Sequence, residues 1–145
     1  MVMTAVLATK LFMDTSYAVA LASPLDEHHS SATLLYRRIE SQRIPLVTTR
    51  AVIVEVGNAL SKRRLRKKSI ALLDDYERDP LVHVTPLSED LFKRGRELYQ
   101  RHRDKEWGLT DCISFVVMQE RGLTEALTAD AHFRQAGFRP LLRSA

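Results

Sequence analysis

Four acidic residues, Asp14, Glu55, Asp111 and Asp130, interrupt or end apolar runs of this chain. Their settings are Phe12-Met13-Asp14, Val52-Ile53-Val54-Glu55-Val56, Thr110-Asp111-Cys112-Ile113 and Ala126-Leu127-Thr128-Ala129-Asp130. A carboxylate is costly in such a place unless something positive sits beside it, so four of them point to one convergent site for a divalent cation. Two carboxylates about 5 Å apart repel by roughly 3 kcal/mol at an effective dielectric of about 20, and a divalent ion reverses that sign. All-oxygen ligation with open positions suits Mg2+ or Mn2+, which accept phosphate oxygens, more than zinc. The chemistry expected of such a set is metal-assisted phosphodiester hydrolysis.

Elements must bring these acids together. Leu11 to Met13 reads as a short buried strand and Thr15 to Ala22 as a helix with Thr15 and Ser16 as capping hydroxyls, which sets Asp14 at a strand-to-helix switch. Pro24 breaks the run, and Ala32, Leu35, Tyr36 and Ile39 then recur at helical spacing between Glu27 and Ser41. Leu46 to Thr49 is strand-like. Ala51 to Leu60 is apolar nearly all round, as in an internal helix, apart from Glu55 and Asn58, which share a face. A basic run follows, then a helix over Ile70 to Tyr76, a strand over Leu81 to Val84, and a long charged helix from its N-cap Ser88 to about Arg103.

Asp104 to Leu109 has no clear period. Thr110 is the expected N-cap of a helix over Cys112 to Glu120, with Asp111 in its first turn and Gly122 ending it. Glu125 to Ala129 is a buried strand leading to Asp130, Phe133 to Ala136 a short helix stopped by Gly137, and Arg139 to Leu142 a last strand. Strands alternating with helices imply an α/β domain over residues 1–145, with a central, mostly parallel sheet and helices on both faces. Ligands of such sheets bind beyond the carboxyl ends of the strands, where Asp14 and Asp130 both fall. Helices packed on the sheet would aim Glu55 and Asp111 at the same edge.

The totals narrow the class. A length of 145 residues allows one core, and 45% hydrophobic with 28% charged residues is a globular composition with no stretch long enough to cross a bilayer. Met1 to Ala8 has no basic residue ahead of it and Lys10 after it, the reverse of a secretory signal, so a cytoplasmic protein is expected. Cys112 is the only cysteine, which excludes an internal disulfide and a cysteine-based zinc site.

The net charge of +4 is unevenly spread, because Lys62, Arg63, Arg64, Arg66, Lys67 and Lys68 surround only Leu65. The run is a phosphate contact, a helix face left in water or a membrane-surface patch, and the first fits a nuclease site best, with Arg63, Arg64 and Arg66 as substrate contacts. Ser16 and Thr110 either cap helices or touch substrate, and Asn58 either bonds substrate or a carboxylate or is simply exposed. The five histidines form no metal-ligand spacing, so no chemistry is assigned to them. Cys112 reads as a small packed residue, and Trp107 either stacks on a base or closes the core beneath the loop before Thr110.

Phe12-Met13-Asp14-Thr15-Ser16, Glu55-Val56-Gly57-Asn58-Ala59-Leu60, Leu109-Thr110-Asp111-Cys112-Ile113-Ser114-Phe115 and Leu127-Thr128-Ala129-Asp130-Ala131-His132-Phe133 resemble, in order, the motifs of the PIN domain. The nearest likeness is to the VapC-type ribonuclease toxins of prokaryotic toxin–antitoxin pairs, and it covers nearly the whole chain. That resemblance implies an Mg2+- or Mn2+-dependent endoribonuclease, a homodimer, and a small cognate antitoxin that enters the active-site groove. It implies that Asp14, Glu55 and Asp111 are the core acids and Asp130 the more variable fourth. Ser16 matches the hydroxyl after the first acid and Thr110 the hydroxyl before the third, while Asp104 falls where some members carry an accessory acid. His132 stands where some relatives carry a further acid. With these assignments, Asp14, Asp111 and Glu55 would hold one ion, directly or through water, and Asp130 would position the attacking water or a second ion. A non-toxin RNA-processing nuclease and a weakly catalytic RNA- or partner-binding PIN domain are the alternatives. A receiver domain would want paired early acids and a late lysine, and a haloacid-dehalogenase-type phosphatase an acid where Ser16 stands.

Overall fold

The computed structural model describes residues 7–143, so residues 1–6 of the mildly apolar start lie outside the described residues. Strands β1 (Leu11–Met13), β2 (Leu46–Thr49), β3 (Val82–Thr85), β4 (Glu125–Leu127) and β5 (Arg139–Pro140) form one sheet in the order β3-β2-β1-β4-β5. All four pairings are parallel, with Phe12 opposite Val47 on one side and Ala126 on the other. Central parallel strands are covered on both faces, which is why Leu11-Phe12-Met13 and Ala126-Leu127 are apolar without alternation.

The connecting helices are α1 (Thr15–Ala22), α2 (His29–Gln42), α3 (Arg50–Ala59), α4 (Arg63–Arg78), α5 (Glu89–Arg101), α6 (Leu109–Glu120) and α7 (Ala131–Gln135). The chain steps outward from β1 to β2 to β3, then returns across the sheet to β4 and β5. Right-handed crossovers therefore put α1 to α4 on one face and α5 to α7 on the other. The two directions of winding part between β1 and β4, so the switch point of this sheet lies where Asp14 and Asp130 emerge.

Packing fixes α6, the carrier of Asp111. Its Phe115 ring stands edge-on to Phe133, with centroids 5.0 Å apart, and to Trp107, at 5.1 Å. Each such buried ring is worth roughly 1.5–3 kcal/mol of apolar transfer. On its other side α6 lies against α5 at Gly95, where a Cβ would come 2.5 Å from Ile113 Cγ1, so only glycine lets the two helices approach this closely. Trp107 is buried and its indole N–H donates to Gln135 at 3.0 Å, so of its two sequence readings it takes the core one. Among the described residues, no helix is long and apolar enough to cross a membrane.

Several boundaries differ from expectation. Helix α4 begins at Arg63, not Ile70, so the basic run is itself helical. The helix expected from Cys112 begins at Leu109, with Gly108 as N-cap in place of Thr110. Strand β5 stops at Pro140, which has no amide hydrogen for a ladder, and α7 starts two residues early, at Ala131, with Asp130 as its N-cap. Tyr36 and Val54, expected on buried faces, are 47% and 56% exposed. Ser88 does cap α5, accepting from the Leu91 amide at 3.0 Å, and Gly122 ends α6 at φ +65°, the left-handed region that favours glycine.

Candidate metal centre

Asp14 follows β1 directly and is 6% exposed, so its carboxylate is placed by the sheet and closed in by what packs over it. Thr128, with no exposure at all, donates its hydroxyl proton to Asp14 Oδ2 at 2.8 Å. The same oxygen of Thr128 accepts from the Asp130 amide at 3.0 Å. The Ser16 hydroxyl donates to Asp14 Oδ2 at 3.4 Å, lies 3.2 Å from Thr128 Oγ1 and accepts from the Ala129 amide at 3.0 Å. Ser16 thus joins the start of α1 to the end of β4 rather than capping its own helix.

The other acids arrive from helices. Asp111, in the first turn of α6, turns back to accept from the Gly108 amide at 3.1 Å, so the carboxylate itself does the capping expected of Thr110. Glu55 projects from the exposed side of α3 and accepts from the Thr15 hydroxyl at 2.9 Å, which occupies the second hydroxyl expected to cap α1. Asp130 closes the first turn of α7 by accepting from the His132 amide at 2.9 Å. Helix α3 packs against both α1 and α6, and α6 against α7, so the acid-bearing elements abut one another.

The result is a cleft of about 310 Å3 lined by Asp14, Thr15, Ser16, Val19, Asp26, His28, Glu55, Asp111 and Asp130. No lysine or arginine is among these lining residues. Burial pushes Asp14 up to about 6; the Thr128 hydroxyl and the Thr15 amide oppose this, while the Asp111 and Asp130 charges add to it. Asp111 is also raised, first by burial and with help from Asp130, against hydrogen bonds from His132 and Gly108. A convergent set of carboxylates, with Asp14 and Asp111 raised by burial, is a donor set that a hard divalent ion fits.

Four contributors carry no signal in the sequence that marks them as site residues. His132 Nδ1 lies 3.1 Å from Asp111 Oδ2 and 3.4 Å from Asp130 Oδ1, and the ligand atoms of these three residues all lie within 4.8 Å of one another. Thr128 was passed over as a strand residue. Asp26 and His28 come from the segment between α1 and α2, where no periodic signal exists, and His28 Nδ1 is buried with no hydrogen-bond partner among the described residues. Only a hydroxyl two residues before Asp130 and a histidine two after it hinted at any of this.

Other expected site residues stand apart from the cleft lining. Thr110 is half-buried, and its carbonyl accepts from Ser114. Asn58 is exposed, its carbonyl accepting from Ser61 at the end of α3. Arg63 and Arg66 line a separate shallow surface with Ser61, Lys67 and Ile70, and Arg66 folds back on the Ser61 carbonyl at 2.7 Å. Arg64 is exposed on the same helix, and Asp104 is exposed and pairs with Lys105 at 3.4 Å. Cys112 is buried, and burial followed by the Asp111 charge pushes its thiol up to about 11, which keeps it an inert packing residue.

Comparison with known proteins agrees with this architecture. The PIN domain family model matches residues 11–139. The 23S rRNA-specific endonuclease VapC20 of Mycobacterium tuberculosis is 28% identical over 128 residues, 88% of this chain and 95% of that protein. The crystal structure of M. tuberculosis VapC20, a sarcin–ricin-loop-cleaving toxin, superposes with a TM-score of 0.79 at 27% identity, covering 92% of this chain and 99% of that one. VapBC2 from Rickettsia felis, bound to a DNA fragment from its promoter, gives a TM-score of 0.65 at 13% identity over 94% of this chain and 99% of the other, a likeness of fold alone.

Proposed function

The chain belongs to the PIN-domain family, and from that premise we propose that it is a metal-dependent endoribonuclease, the toxin of a toxin–antitoxin pair, acting through Asp14, Glu55, Asp111 and Asp130. The observation that carries this reading is the convergence of all four acids on one cleft at the sheet's switch point. The same reading treats residues 1–145 as a single PIN domain.

Mg2+, or Mn2+, is the cofactor of this reading, held by the four carboxylates. When bound, such an ion would lower the pKa of a water and offset charge on the phosphate oxygens. The protein's own part is positional. Thr128 and Ser16 hold Asp14, Thr15 holds Glu55, and the Gly108 amide holds Asp111, which fixes where each carboxylate starts. Asp130, whose own amide donates to Thr128 and whose carboxylate accepts from the His132 amide, is the acid assigned to the attacking water. Retention of the full acidic set favours catalysis over a purely binding role.

RNA is the proposed substrate, and a sarcin–ricin-type ribosomal stem–loop is the first to try, given the VapC20 relationship. Arg63, Arg64 and Arg66, with Ser16, Asn58 and Thr110, are the proposed RNA contacts of this reading. A cognate antitoxin and a second copy of the chain are the proposed protein partners. The test is cleavage of that stem–loop with Mg2+ or Mn2+. Cuts that vanish in EDTA and return with added metal are expected, and undiminished cleavage in EDTA would overturn the metal-dependent reading.

A further inference from the structure

Building on that metal-dependent reading, we propose that His132 is itself a metal ligand through Nδ1, beside Asp111 and Asp130, and that the centre therefore favours Mn2+ over Mg2+. The ring nitrogen faces two carboxylates, at 3.1 and 3.4 Å. Neighbouring ligands of an octahedral ion bound at about 2.1 Å stand about 3 Å apart, and opposite ones about 4 Å. The atoms of His132, Asp111 and Asp130, all within 4.8 Å of one another, are therefore already spaced close to one coordination shell. Orienting a single carboxylate would need one contact; this imidazole stands against both.

The position is built by the backbone. The His132 amide donates to Asp130 Oδ1 at 2.9 Å and the Asp130 amide to Thr128 at 3.0 Å, so the turn from β4 into α7 fixes where the ring begins. Asp111 is fixed from the other side by the Gly108 amide at 3.1 Å. The His132 side chain keeps 27% exposure and stands beside Asp111 and Asp130, which line the cleft. In the tautomer with its proton on Nε2, the Nδ1 lone pair is available to the ion. Nitrogen donors strengthen binding of first-row transition ions, whereas Mg2+ keeps to oxygen, so the mixed set discriminates between the two ions.

The experiment is pulsed electron paramagnetic resonance of Mn2+ on the full chain without RNA, with Mn2+ and Mg2+ affinities from calorimetry. Wild type should show hyperfine coupling from one imidazole nitrogen. His132→Gln should still bind Mn2+ but lose that coupling, and its Mn2+ affinity should fall by at least the ~10-fold cost of losing a ligand's supporting partner. Its Mg2+ affinity should barely change. Bound Mn2+ without nitrogen coupling in the wild type would overturn the His132 assignment and leave the carboxylate site standing, whatever the variant does. Coupling that survives in His132→Gln would assign the nitrogen elsewhere and also overturn it. Failure of the wild type to bind Mn2+ at all would instead remove the metal centre, and this assignment with it.

Discussion

Thr128 and Asp14 lie 114 residues apart in the chain and share a 2.8 Å hydrogen bond in which both residues are buried. That bond joins the ends of β1 and β4 across the switch point and is the largest influence opposing the burial of Asp14. Thr128→Val keeps the shape and removes the donor, leaving a buried carboxylate short of a partner. We expect a stability loss of about 1–3 kcal/mol in denaturant unfolding at pH 7 and reduced cleavage, with Thr128→Ser close to wild type in both. Equal unfolding midpoints for wild type and Thr128→Val would show that the bond carries no weight.

Asp14→Asn removes a charge that the fold is obliged to bury. The metal-free variant should therefore be as stable as wild type at pH 7 or more so, while RNA cleavage is lost. Asp111→Asn should likewise abolish cleavage with the fold intact by circular dichroism. Cleavage by either variant at the wild-type rate would remove that carboxylate from the centre.

The pH dependence has a defined sign. Asp14 titrates at about 6 in the folded chain and near 3.9 in an unfolded one. Between those values the folded chain keeps a proton that the unfolded chain has lost, so the stability contributed by this group is complete below about pH 4 and falls away as pH rises through 6. At about 1.4 kcal/mol per unit the difference is on the order of 3 kcal/mol. Subtracting the metal-free Asp14→Asn curve from that of wild type should isolate this falling step, and saturating Mn2+ should flatten it. A difference that rises with pH over this range would contradict the burial of Asp14.

The basic start of α4 lies outside the cleft lining, so its proposed contribution is to RNA binding rather than to the chemical step. Replacing Arg63, Arg64 and Arg66 together with Gln should shallow the salt dependence of RNA affinity by up to about one unit of log–log slope for each phosphate no longer neutralised. Metal affinity should be unchanged. An identical salt slope would leave these arginines as a solvated helix face.

Much of this centre was readable from residue types alone. Asp14, Glu55, Asp111 and Asp130 stood out because each carboxylate interrupts apolar sequence, and all four line one cleft. The central strands were equally plain, since Leu11 to Met13 and Leu46 to Thr49 keep the bounds expected of buried parallel strands. Helix α4 was missed as far as Ile70 because its first turns bury almost nothing, leaving charges without an apolar period. The capping hydroxyls of Thr15, Ser16 and Thr110 were misassigned for a related reason. Capping is a local rule, and their actual environments are set by Glu55, by Ala129 and by an Asp111 carboxylate that does the capping itself. His132 was invisible as a ligand because one of its two neighbours, Asp111, is 21 residues away and meets it only through the packing of α6 on α7.

The most direct test of the central claim is anomalous diffraction from a crystal of the protein soaked in Mn2+. A peak in the cleft, within about 2.5 Å of a carboxylate oxygen of Asp14, Glu55, Asp111 or Asp130 or joined to one through a single water, is the predicted result. An empty cleft at millimolar Mn2+, or manganese bound only elsewhere on the surface, would contradict it.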